Sequence, residues 1–288
     1  MVIGIARALL YYKYHHLWET FFKELGIETI TSPESNKKIL EDGTLCSIDE
    51  SCIPSKIFMG HIKFLIDKCD YILVPRIDNF GKKEEVCTKF NALYDITKNT
   101  FPDVRLLDYN IDVKRRKTEL KGFIKMGRLL GKGLIKSFIA YRKGKKVQYE
   151  KDKLKSKAQE RLLNKKNKVK ILVVSHPYNT HDKLLGYPVI EYIKKQDGIP
   201  IYADLGDSKY KALSKSISDS LYWAYNKELI GTMQKYKDKI DGIIFLTAFP
   251  CGPDSLINEL AIRKIKDVPI SNIVLDELSR RSGIANKN

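Results

Sequence analysis

The 288-residue sequence predicts an α/β protein with two units of mostly parallel sheet joined by a basic helical segment. Three observations carry this. Short apolar runs alternate with longer stretches of helical periodicity, the order expected of a sheet covered by helices. The alternation occurs twice, before about residue 112 and after about residue 169. Between the two lies the whole excess of charge: residues 114–168 hold 21 Lys and Arg against four acids, while the remainder holds 31 of each sign. The boundaries are accordingly drawn at 1–112, 113–168 and 169–288. With 43% hydrophobic residues the chain can form two modest cores and is too apolar to be disordered.

Val2 to Ile5 reads as a strand, Tyr11 to Leu25 as a helix closed by Gly26, and Glu28 to Thr31 as a strand. Ile53 to Asp67 has apolar residues at helical spacing, Tyr71 to Ile77 is a buried-strand run, and a helix from Thr88 to Lys98 leads to a strand at Val104 to Tyr109. Leu120, Ile124, Leu130, Leu134, Phe138 and Tyr141 recur among Lys and Arg, which predicts a basic amphipathic helix interrupted at its glycines. One face packs on a domain; the other is read as a solvated charged face, with docking on an acidic partner or on phosphates as the alternative. In the second half, Lys170 to Ser175, Pro200 to Asp204, Gly242 to Phe249 and Asn272 to Leu275 read as strands. Leu185 to Lys195, Asp219 to Lys237 and Asp254 to Lys264 read as helices.

The opening residues are a strand and not a secretion signal, and no window reaches the roughly 18 apolar residues of a spanning helix. A cytoplasmic protein with no membrane partner is expected. In that compartment five scattered cysteines are read for metal ligands or as buried thiols and not for disulfides. Cys52, Cys87 and Cys251 each fall at or just before a predicted helix start, where unpaired N–H groups and the dipole favour an anionic ligand. Loops leaving the carboxyl ends of parallel strands line the binding crevice of such folds. Thiolates select zinc or iron–sulfur clusters. Four ligands with close pairs suit zinc, and three isolated cysteines suit a four-iron cluster with one iron open. Cys46 is a fourth candidate outside the helix-entry pattern, and Cys69 a core cysteine. Spacing by itself leaves the cluster and unrelated cysteines evenly matched.

The sequence resembles the family of acyl-CoA dehydratase activase-related proteins, relatives of 2-hydroxyacyl-CoA dehydratase subunits and of double-cubane cluster proteins. The resemblance runs over nearly the whole length. It rests on Gly4-Ile5-Ala6-Arg7-Ala8-Leu9, Trp18 to Gly26, Cys52-Ile53-Pro54-Ser55-Lys56 with Gly60-His61, Val74-Pro75-Arg76 and Cys87-Thr88-Lys89-Phe90. In the second half it rests on His176-Pro177-Tyr178-Asn179, Tyr222-Trp223 and Phe249-Pro250-Cys251-Gly252-Pro253-Asp254-Ser255.

The resemblance implies paired flavodoxin-like (Rossmann-like) domains, a cleft holding a 4Fe-4S cluster on Cys52, Cys87 and Cys251, and low-potential electrons delivered by an ATP-hydrolysing activator of the actin-like ATPase class. Two departures stand out. Ala6 replaces an expected Pro, and the run Leu275-Asp276-Glu277-Leu278-Ser279-Arg280-Arg281-Ser282-Gly283 replaces a His and an acidic run.

His176, Tyr178 and Asn179, with His181 and Asp182, come after a strand and are candidates for acid–base or hydrogen-bonding roles; turn capping is the alternative for Asn179 and Asp182. Arg76 is a candidate anion binder, with an ordinary salt bridge equally expected. His61 is read as a packing or polar helix contact, and His15 and His16 as surface or core residues. No Gly-rich phosphate loop with a following Lys-Ser or Lys-Thr occurs, so ATP hydrolysis by this chain is not expected.

The leading reading is an iron–sulfur component of low-potential electron transfer in anaerobic metabolism, served by the activator ATPase. A second is a reductase or dehydratase subunit binding a small molecule or an acyl-CoA at the open iron. A third is a basic nucleic-acid-binding protein with structural cysteines. Whether the chain is itself an enzyme is open at this level, as is a homodimer.

Overall fold

A computed structural model describes residues 1–205 and 208–277. It is α/β, and every strand pairing is parallel apart from isolated bridges. The chain forms two compact units. The first comprises Met1–Ser47, Ile57–Leu154 and Tyr222–Ala224; the second comprises Ile48–Lys56, Lys155–Leu221 and the residues from Tyr225 onward. The basic segment as far as Leu154 thus falls in the first unit, and the short segment Ile48–Lys56 carries Cys52 into the second.

In the first unit, β1 (Val2–Ile5), α1 (Tyr11–Leu25), β2 (Glu28–Thr31), α2 (Lys37–Leu45), α3 (Ile53–Leu65), β3 (Tyr71–Leu73), β4 (Arg76–Asn79), α4 (Lys89–Thr100), β5 (Leu106–Leu107) and β6 (Asn110–Asp112) succeed one another in that order, α3 beginning in residues of the second unit. The four-stranded sheet runs β2-β1-β3-β5, and β4 pairs with β6. The apolar β1 is central and the polar β2 lies at the edge, as their composition requires. α1 buries Leu17, Trp18, Phe21, Phe22 and Leu25 and ends on Gly26 at φ 69°, a conformation that favours glycine. The strand expected from Tyr71 to Ile77 is split, because Pro75 has no N–H for the ladder. Val74 N–H to Leu107 O (2.8 Å) and Arg76 N–H to Tyr109 O (2.9 Å) carry the pairing across the break.

Helix α2 was not anticipated. It buries only Ile39 and Gly43, so its apolar periodicity is faint; its signal is Asn36, whose side chain caps the Ile39 N–H at 3.1 Å. α3 lies so close to it that a Cβ on Gly60 would fall 1.9 Å from the Ile39 carbonyl oxygen. Gly60→Ala is expected to destabilise the first unit by about 3 kcal/mol, since the obstacle is backbone and cannot rotate away. Urea unfolding monitored by tryptophan fluorescence reads this directly, both tryptophans, Trp18 and Trp223, being in that unit.

The basic segment forms α5 (Glu119–Leu129) and the 30-residue α6 (Leu134–Leu163), interrupted at Gly131, which adopts φ 74°. Phe123 packs against Phe21, Tyr109 and Tyr141 with ring centroids 4.9, 4.6 and 5.2 Å away. The segment is therefore in part core, and α6 continues well beyond the predicted stretch.

In the second unit, β7 (Lys170–Val174), α7 (Pro177–Thr180), α8 (Tyr187–Lys195), β8 (Ile199–Tyr202), α9 (Ala224–Tyr236), β9 (Gly242–Ala248), α10 (Gly252–Lys264) and β10 (Ile270–Leu275) form a sheet in the order β10-β9-β7-β8. α9 starts in the residues grouped with the first unit and starts later than Asp219, because the backbone at Tyr222 and Ala224 is taken by Glu85 (2.9 and 2.7 Å). Numbered within its own unit, each four-stranded sheet has the order 2-1-3-4, which matches the first four strands of the doubly wound order with its switch point between strands 1 and 3. Of the divergent C-terminal run, Leu278 to Gly283 lie outside the described residues.

Candidate functional site

In the second unit the switch point lies between β7 and β9. β7 runs directly into Ser175-His176 and β9 into Phe249-Pro250-Cys251, so His176 and Cys251 both leave the carboxyl ends of the central strands. Cys251 is the N-terminal cap residue of α10, its carbonyl accepting from the Ser255 N–H (3.1 Å) and hydroxyl (2.8 Å). Cys52 stands just before α3, its carbonyl accepting from the N–H groups of Ser55 (2.9 Å) and Lys56 (3.2 Å), and its thiol lies 3.2 Å from the Ser55 hydroxyl. The N–H of Ile53 donates to the carbonyl of Phe249 at 3.2 Å. That bond ties the two cysteine loops together, although 199 positions separate the cysteines in the sequence.

Beneath Cys251 is a buried polar network. One oxygen of the Asp254 carboxylate accepts from His176 Nε2 at 3.0 Å and from the Asn226 amide at 2.7 Å. A carboxylate only accepts, so Nε2 carries the proton. Burial pushes the Asp254 carboxyl up, but the charge and hydrogen bond of His176, with hydrogen bonds from Asn226 and Cys251, outweigh it and hold the group below the usual carboxylate range. Tyr178 stacks on His176 with ring centroids 5.0 Å apart. The Asn179 amide donates to Ser175 Oγ (3.2 Å), which donates to the Leu246 carbonyl (2.5 Å); the Asn179 side-chain oxygen is buried with no hydrogen-bond partner among the described residues. A cavity of about one water molecule is bounded by Ser175, Asn226, Asp254 and Asn258. Asp182 accepts from the N–H groups of Leu184 and Leu185 (2.8 and 3.2 Å), a turn-capping role. Lys56, itself buried, pairs with Glu277 at 2.6 Å.

The remaining predicted residues lie in the first unit. Cys87 precedes α4, where its carbonyl accepts from the Phe90 N–H (3.0 Å). Cys46 ends α2. Cys69 donates to the Leu65 carbonyl (3.4 Å), and burial pushes its thiol up. Arg76 is engaged by Asp95 (2.5 and 2.7 Å) and by Asp108 (3.5 Å) and lies over the Tyr94 ring, the ordinary salt-bridge arrangement. His61 is fully buried against Ser35 (3.0 Å), and its Nδ1 has no hydrogen-bond partner among the described residues. Among the described residues no three His, Cys, Asp or Glu side chains come together as a metal site, and no helix is long and apolar enough to cross a membrane.

The network members that sequence reasoning missed are Asn226, Ser175 and Asp254. Asp254 stood in a recognised motif without a role; Asn226 lies near the start of a helix with no local pattern to mark it.

The family model of the CoA enzyme activase uncharacterised domain matches residues 2–205, more than two thirds of the chain. The chain belongs to that family. The resemblance read from the sequence to acyl-CoA dehydratase activase-related proteins agrees with it. No curated protein matches the chain. Among solved structures, the SBP FpvC from P. aeruginosa in complex with Ni2+ aligns with 95% of this chain and 86% of its own at 10% identity and a TM-score of 0.29, too slight a likeness to bear on fold or ligand. The activase-family match ends at residue 205, so it includes Cys52 and His176 and stops short of Asn226, Cys251 and Asp254.

Proposed function

We propose that this activase-family protein is an iron–sulfur protein of low-potential electron transfer, with Cys52 and Cys251 as two of the cluster's thiolate ligands. The observation that carries the reading is the Ile53-to-Phe249 hydrogen bond, which joins two helix-entry cysteines from distant parts of the sequence. Two soft donors beside two helix N-termini suit an anionic metal–sulfur cluster better than a hard cation. When bound, such a cluster supplies one-electron exchange. Asp254 and His176 would then hold the Cys251 loop, and the Ser55 hydroxyl would orient the Cys52 thiol. Cys87 is kept as the third ligand expected from the sequence, and a set of three would leave one iron open. The donor of electrons in this reading is an ATP-hydrolysing activator, in keeping with the family's association with CoA enzymes.

Anaerobic purification with iron and sulfide analysis and low-temperature spin resonance tests it. Cys52→Ser and Cys251→Ser are expected to lose most of the iron while Cys69→Ser keeps it, and Cys87→Ser reports on the third position. Folded, anaerobically purified protein without iron would overturn the proposal.

A further inference from the structure

The basic segment is covered on one side only. α5, Leu130 just after it and the first half of α6 turn Phe123, Met126, Leu130, Ser137 and Ala140 inward. At Gly144, α6 approaches α1 so closely that a Cβ would lie 2.9 Å from the Leu17 carbonyl oxygen. On the other side Leu129, Leu134, Ile135, Phe138 and Ile139 are 62, 56, 76, 44 and 47% exposed. They gather about the turn that joins the two helices. Leu134 with Phe138, and Ile135 with Ile139, repeat four residues apart and so share a face of α6. Around them stand Lys125, Arg128, Lys132, Lys136 and Arg142, none in an ion pair among the described residues, whereas Lys143 and Lys145 further along pair with Glu24 and Glu119.

A row of large apolar side chains left in water within a positively charged surface points to a partner. The composition discriminates between the classes. Nucleic acid would engage the cations through its phosphates and has no use for exposed Leu and Ile. The core of a protein interface is depleted in Lys and enriched in Arg, and residues 114–168 contain 16 Lys and five Arg. An anionic lipid surface uses both features: cations at the headgroups and aliphatic side chains at the acyl boundary.

We propose that the α5–α6 turn is a peripheral docking site for an anionic bilayer, Leu129, Leu134, Ile135, Phe138 and Ile139 entering the interface while Lys132 and Lys136 meet headgroups. The expectation of no membrane partner rested on the absence of a spanning stretch. A helical hairpin lying on the surface needs none.

The test is sedimentation of the full chain with phosphatidylcholine vesicles, with and without phosphatidylserine. Binding is expected only with phosphatidylserine, and it should fall roughly tenfold as salt screens the charges. The exposed-site double variant Ile135→Ser with Phe138→Ser should lower vesicle binding about tenfold at unchanged circular dichroism and melting, and Lys132→Glu with Lys136→Glu should do the same. Serine variants that bind as well as the parent would overturn the proposal. So would a chain that ignores phosphatidylserine vesicles, or one that instead binds duplex DNA or polyglutamate through the same residues.

Discussion

Asp254→Ala is expected to cost the second unit about 3–5 kcal/mol, read as a shift of its urea unfolding midpoint. The residue is 5% exposed, and a single carboxylate oxygen receives both His176 Nε2 and the Asn226 amide. Removing it leaves two buried donors without an acceptor, and breaking one side of a buried charged contact carries a penalty of that order. Asp254→Asn keeps the shape and one accepting oxygen, so its loss should be about 1–2 kcal/mol. The alanine variant should also free the Cys251 thiol, which hydrogen-bonds the carboxylate. Faster modification of Cys251 by a thiol reagent in folded, cluster-free protein checks that half of the expectation. If the two variants proved equally mild, the network would not be what holds the loop.

Acidification is expected to weaken the first unit well above the pH at which carboxylates titrate. His61 is fully buried; burial first, and then the charge of Arg7, lower its pKa to about 3 from an ordinary 6.5. Between those values the unfolded chain holds a proton that the folded chain refuses. The contribution of a neutral His61 is thus complete above about pH 6.5 and is lost as the pH falls toward 3, with a slope near 1.4 kcal/mol per pH unit. Between about pH 6.5 and 4.5 the loss is about 2 kcal/mol. Asp254 has the opposite chemistry and the same direction: its stabilising charge is present above the carboxylate range and is lost only as the pH falls below its ordinary value of 3.8. Burial raises the Glu19 carboxyl of the same unit, which acts in the opposite sense, so the His61 variant and not the profile by itself identifies the group. His61→Gln should flatten the dependence of the tryptophan-monitored midpoint on pH, and a profile as steep as the parent's would place the titrating group elsewhere.

Several elements were legible because their causes are local. Val2–Ile5, Tyr11–Leu25 and Glu28–Thr31 coincide with the sequence reading to the residue, since a short apolar run, a helical stripe ending on Gly26 and a β-rich run each mark their own limits. α2 is silent in the sequence because its apolar face is nearly empty, and α9 starts later than its periodicity suggests because the Glu85 backbone, and not propensity, claims the backbone at Tyr222.

The candidate site divides along the same line. The sequence by itself determined that Cys251 and His176 leave the ends of strands and that Cys52 precedes a helix, because strand and helix starts have chemical signatures within a few residues. Only the tertiary structure decided that Cys52 joins the unit of Cys251, that Asp254 receives His176 and Asn226, and that the basic segment is core on one side and exposed apolar surface on the other. Those outcomes depend on groups 28 to 196 positions apart being brought together by a sheet whose strand order is not written in any one stretch of residues.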